Sequence, residues 1–248
     1  MKKYILYFLT LFLVFSCNEQ KLYISKVQGS LIEVNNQTPL NEFEKVISPY
    51  RNKMEKEVNT VLTYTPTTIS RRDSKLESSL SNLMADMCYE QANPVFFNKT
   101  GKNIDFAMFN YDGLRSDIQK GNITVGNAFE LMPFENTLLV LELSGEKMEE
   151  LIQYLIAEKK AHPVSKQFRL LIKENSYSLS INNIPFNSKK TYYVLTSDYL
   201  QGGGDSMNFF KNPIKIIDID YKLRASIIDY FSKKESIITQ LDGRITAE

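Results

Sequence analysis

The residues able to do chemistry gather in two stretches. In the first, Asn110 is followed by Asp112, Gly113 and Arg115, directly after the apolar run 104–109. A tight Asp-Gly turn and a cation at a strand end suit an anion or a polar ligand. Further on, Pro133-Phe134 sets an aromatic ring beside a rigid bend, just ahead of the apolar run 138–143. In the second stretch Tyr199 precedes Gly202-Gly203-Gly204-Asp205. Taken alone, that glycine run is a flexible turn whose Asp205 caps the next short helix. Each of these residues has a bland alternative. Asn110 can be a turn residue, Arg115 half of a surface ion pair with Asp112 or Asp117, and Phe134 and Tyr199 core aromatics at strand ends.

The residue inventory speaks against several other chemistries. A two-metal hydrolytic site draws on several His, Asp and Asn ligands, whereas this chain has one histidine, His162, ahead of Pro163 in a polar loop. His162 therefore reads as a surface or locally hydrogen-bonded residue. No glycine-rich phosphate loop of P-loop type precedes a helix, and a nucleophile triad would have to rest on His162 alone. Thirty basic residues against 29 acidic ones give a net charge of +1. No whole-molecule field draws nucleic acid, so anion recognition falls to a local pocket.

The elements that must position these residues follow from periodicity. Ser48-Pro49 predicts a helix over 50–62, ended by Pro66. Ser74 and Glu77 predict a capping box for a helix whose stripe is Leu76, Leu80, Leu83, Met84, Met87 and Cys88, a core helix. Strands are expected at about 30–34 and at 104–109, 138–143, 169–173, 177–181, 191–197 and 214–219. Ser144 caps a helix with Met148, Leu151, Ile152, Leu155 and Ile156 on its apolar face, and Leu223, Ile227, Ile228 and Phe231 mark a last helix. Helices interleave with strands, yet Asn175-Ser176 and Asn182-Asn183 read as hairpin turns, so the expected fold is α/β of the α+β kind with mixed sheets.

The ordered motif Asn110, Gly113, Leu114, Arg115, then Gly121, Ile123, Thr124, then Pro133, Phe134, Asn136 and Gly145 resembles the C-terminal, substrate-binding domain of 5'-nucleotidases and UDP-sugar hydrolases. The stretch from Tyr199 to Asp205 resembles that family's later aromatic and Gly-Gly-Asp motif, and the likeness runs over 40–245. It implies a layered α/β/β/α domain. It also implies that Phe134 and Tyr199 sandwich a base, that Gly203 and Gly204 let the backbone approach the ligand, and that Asp205 accepts from ribose hydroxyls. Asn110 then contacts the base or backbone, and Arg115 the substrate. Asp112 departs from the family's glycine and puts a negative charge beside Arg115, which narrows the pocket or weakens its pull on phosphate. The family's substrate arginine ahead of the core helix has only Arg71 or Arg72 as a counterpart, in uncertain register.

The beginning Met1-Lys2-Lys3, the apolar run 4–15 and Val14-Phe15-Ser16-Cys17 have the form of a signal peptide ending in a lipobox. The expected division is 1–16 lipoprotein signal peptide, 17–39 lipidated tether with a short strand, and 40–248 nucleotidase-like domain. An exported protein held on a bacterial membrane by acyl chains on Cys17 follows, the alternative being an ordinary signal peptide with an incidental cysteine. Cys88, the second cysteine, reads as a buried, inert thiol. Expected functions stay open between the recognition half of a 5'-nucleotidase, a nucleoside-binding surface lipoprotein and a decayed scaffold. In the first, nucleotide or nucleoside binds here, no cofactor belongs to this chain, and divalent metals sit in a separate metallophosphatase partner, so the chain alone is inactive.

Overall fold

The computed structural model describes residues 23–32 and 41–248. The signal-like segment and Cys17 lie outside the described residues. Of the strand expected near 30–34, residues 30–32 form none and the remainder lies outside them.

Helix α1 (Asn41–Val58) begins earlier than expected and carries Pro49 in its interior. Ser48 is therefore not its N-cap. None of its residues is buried, so water can serve the carbonyl that the proline leaves without a partner. Val61 and Leu62, expected in that helix, instead open strand β1 (Val61–Thr65).

Helix α2 (Ser79–Thr100) starts at Ser78, whose side chain accepts from the Ser81 amide, and ends on left-handed Gly101. The expected box at Ser74 and Glu77 does not form. Glu77 is buried and accepts from the amides of Gly243 and Arg244, so its carboxylate cannot turn back to a cap. Residues 79–85 of α2 are all buried, as in a helix enclosed by the core rather than lying on it. Cys88 sits on α2 fully buried, where desolvation pushes its thiol up to about 12. No thiolate forms near neutrality, which fits the inert thiol expected.

The remaining elements are β2 (Phe106–Ala107), β3 (Gly121–Thr124), α3 (Val125–Leu131), β4 (Thr137–Leu143), α4 (Gly145–Glu158), β5 (Phe168–Ile172), β6 (Tyr177–Ile181), β7 (Ile184–Pro185), β8 (Tyr192–Ser197), α5 (Asp198–Gln201), β9 (Lys215–Lys222), α6 (Leu223–Ser232) and β10 (Ile245–Ala247). One sheet runs β2-β8-β4-β9 and another β10-β5-β6-β7, while β1 and β3 form a two-stranded ribbon. Both four-stranded sheets are mixed: β2 lies parallel to β8 and β10 to β5, and the other pairings are antiparallel. The mixed α/β class expected from the hairpin turns is the one observed. Asn182 and Asn183 both take positive φ, 53° and 62°, as a two-residue hairpin turn demands.

The sheets meet where Phe106 of β2 packs on Phe168 of β5, ring centroids 4.9 Å apart. Helices α2 and α6 pack on each other and on β9, and α4 packs on β4. The C-terminal stretch is pinned by Arg244, 3% exposed, which pairs with Asp86 and Asp242 and donates to the Val164 carbonyl at 2.7 Å. The strand expected at 104–109 shortens to β2, because the Asp105 carboxylate takes the Tyr193 amide at 2.7 Å and Met108 bridges to Val164 outside the sheet.

Candidate functional site

A cleft of about 210 Å³ opens at the ends of β2, β4 and β8. Asn110, Gly113, Arg115, Phe134, Tyr199 and Asp205 all line it, from segments far apart in the chain. Gly203 and Gly204 do not line it. They shape the turn that carries Asp205.

The Asn110 side follows β2 directly. A short 3-10 turn, Tyr111–Gly113, reverses the chain. Gly113 is needed there, since a Cβ at this position would lie 2.7 Å from Asn110 Oδ1. Asn110 Nδ2 donates to Asp205 Oδ2 at 2.6 Å and so ties this turn to the glycine turn.

The Tyr199 side follows β8. Ser197 caps α5, which presents Tyr199 in its first turn. A Cβ on Gly204 would come within 2.4 Å of the Tyr199 ring, so only glycine lets that ring lie on the backbone. The Tyr199 hydroxyl donates to Asp205 Oδ1 at 2.9 Å, and this bond holds its phenol above the ordinary range. Asp205 itself sits at φ +51°, a strained conformation for a side-chain-bearing residue. Its carboxylate does not cap a helix. It accepts from Asn110 and Tyr199, one bond per oxygen, and each oxygen keeps a lone-pair site for a ligand donor.

Phe134 and Tyr199 are 40% and 48% exposed, so neither ring is core. The Arg115 guanidinium lies 5.6 Å from the Phe134 ring centroid and donates to the Asp112 carbonyl at 3.3 Å. Among the described residues Arg115 has no ion pair, and both acidic candidates are engaged elsewhere. Asp117 accepts from Ser70 Oγ at 2.9 Å and the Arg71 amide at 3.0 Å. The Asp112 carboxylate meets Lys160 at 3.5 Å, and Lys160 also meets Glu158 at 3.4 Å. Asp112 lines the cleft, as expected of a side chain that narrows it, and its carboxylate is paired with Lys160 rather than with Arg115. Arg71 backs the turn from below, donating to the Leu114 carbonyl with its guanidinium 5.2 Å from the Tyr111 ring centroid. Arg72 is exposed and does not line the cleft.

Three supporting residues were not assigned to the site by the sequence reading, which took His162 only as a surface or locally hydrogen-bonded residue. Arg224, at the start of α6, donates to the Met132 and Phe134 carbonyls, both at 3.2 Å, pairs with Glu135 and lies 4.1 Å from the Phe129 ring centroid. It thereby fixes the bend that presents Phe134. Tyr154 of α4 donates to the Asp205 carbonyl at 3.0 Å. His162 is 3% exposed rather than superficial, and its Nδ1 accepts from the Tyr111 amide at 3.2 Å. Desolvation, with Lys160 nearby, lowers its pKa to about 4, so the ring is neutral at pH 7. Helix α3 was also missed. Its signal was Thr124 with Asn127 three residues on, which form a reciprocal capping box.

Residues 57–212 match the 5'-nucleotidase C-terminal domain family. The chain belongs to that family. Among curated relatives, the trifunctional nucleotide phosphoesterase protein YfkN of Bacillus subtilis is 25% identical over 87% of this chain and 16% of its own length. The cell wall protein Lmo0130 of Listeria monocytogenes is 30% identical over 68% of this chain and 23% of its own length. The chain thus spans less than a quarter of either relative. The 5'-nucleotidase precursor of Thermus thermophilus shares the fold, with a TM-score of 0.66 at 21% identity over 84% of this chain and 44% of that one. Of the motif residues, Asn110, Gly113, Arg115, Phe134, Asn136, Tyr199 and Asp205 fall on one cleft, whose groups are two exposed rings, a carboxylate with free lone pairs and a guanidinium without an ion pair among the described residues. Among the described residues no group of three or more His, Cys, Asp or Glu is placed to hold a metal ion.

Proposed function

We propose that this domain recognises a nucleotide or nucleoside, as the specificity half of a 5'-nucleotidase. The observation that carries the reading is the convergence of Asn110, Arg115, Phe134, Tyr199 and Asp205 on one cleft. In it the base stacks on Phe134 and Tyr199, a pair of sugar hydroxyls donates to Asp205, Asn110 reads sugar or base edges, and Arg115 faces phosphate. Gly203 and Gly204 serve by allowing the turn that brings Asp205 and the Tyr199 ring together. The divalent metals and the attacking water belong to a metallophosphatase subunit that closes over the phosphate. Support for that division is the donor set, since the chain's one histidine is buried and hydrogen-bonded to a backbone amide. Export with an acyl anchor on Cys17 is supported by the signal-like beginning and by a cell wall protein among the relatives.

Stacking contributes roughly 1–3 kcal/mol per base and ring, so two rings supply at most about 6 kcal/mol before polar contacts and ordering costs. The expected dissociation constant lies between about 1 mM and about 10 μM. Isothermal titration with adenosine, AMP and a pyrimidine counterpart tests this. Phe134→Ala and Tyr199→Ala should each weaken binding about tenfold or more, equivalent to about 1.4 kcal/mol. No heat from the wild type at millimolar ligand, or unchanged binding in both variants, would overturn the reading.

A further inference from the structure

The recognition reading uses the groups facing the cleft but leaves the buried pair behind them without a role. His162 is 3% exposed, and its Nε2 has no hydrogen-bond partner. A buried polar nitrogen left unpaired costs more than a typical hydrogen bond contributes, so an apolar side chain would fill this space at lower cost. What the imidazole supplies is an acceptor. Nδ1 takes the Tyr111 amide proton at 3.2 Å, which places the ring's own proton on Nε2. The ring packs against Tyr154 with centroids 5.3 Å apart, and the Tyr154 hydroxyl donates to the Asp205 carbonyl at 3.0 Å. One contiguous path therefore joins the residue after Asn110 to the backbone of Asp205. The two side chains at its ends, Asn110 and Asp205, are hydrogen-bonded to each other across the cleft at 2.6 Å.

We propose that His162 is a positioning residue for the cleft: as acceptor for the Tyr111 amide and ring partner of Tyr154, it holds the Asn110 turn and the Asp205 turn in one fixed relation. The inference rests on the recognition reading above. His162 touches no ligand and acts through Asn110 and Asp205. Because Asp205 has positive φ and its turn is rich in glycine, that turn has little intrinsic reason to hold one conformation. The buried path supplies the reason.

The test uses the full-length chain purified in detergent, with adenosine and AMP as probes in isothermal titration. His162→Asn sets an amide oxygen where Nδ1 lies, whereas His162→Leu fills similar space without an acceptor. Titrations are run at a temperature where near-ultraviolet circular dichroism shows each variant folded. The Leu variant should bind adenosine about tenfold or more weakly, and the Asn variant should stay within about threefold of wild type. Tyr154→Phe keeps the ring and removes only the hydroxyl, so it reports on the other arm even if the Leu variant does not fold. It should weaken binding about threefold or more. A folded Leu variant that binds as wild type does, an Asn variant as weak as the Leu variant, or an unchanged Tyr154→Phe overturns the positioning role. A wild type that binds neither probe overturns the recognition reading itself, and the positioning role with it.

Discussion

Replacing Arg224 by methionine should loosen the Phe134 bend while leaving the rest of the domain folded. The methionine keeps an unbranched stem but removes the guanidinium, whose pKa is lowered by burial. The Met132 carbonyl, reached by a fully buried hydrogen bond at 3.2 Å, is then stranded, at a cost of about 1–3 kcal/mol. The Phe134 carbonyl is only partly buried and can be rehydrated. The pair with Glu135, whose side chain is 70% exposed, adds at most about 1 kcal/mol. The contact with the Phe129 ring, 4.1 Å from its centroid, adds about 0.5–1 kcal/mol. The losses overlap, so a total destabilisation of about 2–4 kcal/mol is expected. Part of the Phe134 stacking is lost as well, which should weaken adenosine binding about three- to tenfold. Urea unfolding gives the first quantity and calorimetric titration the second. A loss of stability below about 1 kcal/mol together with unchanged binding would refute the argument that Arg224 holds the bend.

Three further outcomes are expected. The purified soluble chain from Asn18 onward should release no phosphate from nucleoside monophosphates with added divalent metals, because one histidine cannot build a closely spaced two-metal site; metal-dependent release surviving repurification and a His162→Ala control would sink the division of labour. Cys17→Ser should move the protein out of the membrane fraction, since no helix among the described residues is long and apolar enough to cross a membrane; unchanged sedimentation with membranes would point to another anchor. His162 should make stability acid-sensitive. Its folded pKa of about 4 lies below its ordinary 6.5, so the unfolded chain binds more protons between those values and stability rises with pH across that window. The His162 contribution is fully present above about pH 6.5 and is lost, by about 3 kcal/mol in all, as the pH falls to about 4; urea titrations at several pH values should show a flatter curve for His162→Asn, and parallel curves would contradict it.

The strands and helices legible in the sequence were those with a clear apolar run or stripe. Strand β4 lies within a residue of its expected bounds and helix α4 starts where expected, because Ser144 both ends the apolar run and caps the helix. Helix α1 was misplaced because Pro49 is an exposed interior proline rather than a first-turn one. Helix α2 was found but misbounded, since Glu77, which looked like half of a capping box, accepts instead from Gly243 and Arg244. In the site, the groups that line the cleft sit in short motifs of fixed order and were singled out from them. The groups behind them, Tyr154, His162 and Arg224, act through backbone atoms of residues 51 to 92 positions away. A side chain that serves a distant carbonyl or amide leaves no local pattern in the sequence.

Asp112 carries the same lesson to the electrostatics of the cleft. In sequence it is a negative charge three residues from Arg115, in place of a glycine, and it reads as damage to an anion site. In the structure its side chain reaches Lys160, which lies 48 residues on, just past α4. The neighbouring carboxylate holds the Lys160 ammonium above its ordinary pKa, and because Lys160 also meets Glu158 at 3.4 Å it offsets the Asp112 charge only in part. The pair is solvent-exposed, with side chains 45% and 58% accessible, and contributes little stability. Its consequence is local. Asp112 gives Arg115 only a carbonyl oxygen to bind, a neutral partner that orients the guanidinium without neutralising it. The cation has no ion pair among the described residues and lies beside the Phe134 ring, where an anionic group carried by a stacked ligand would meet it.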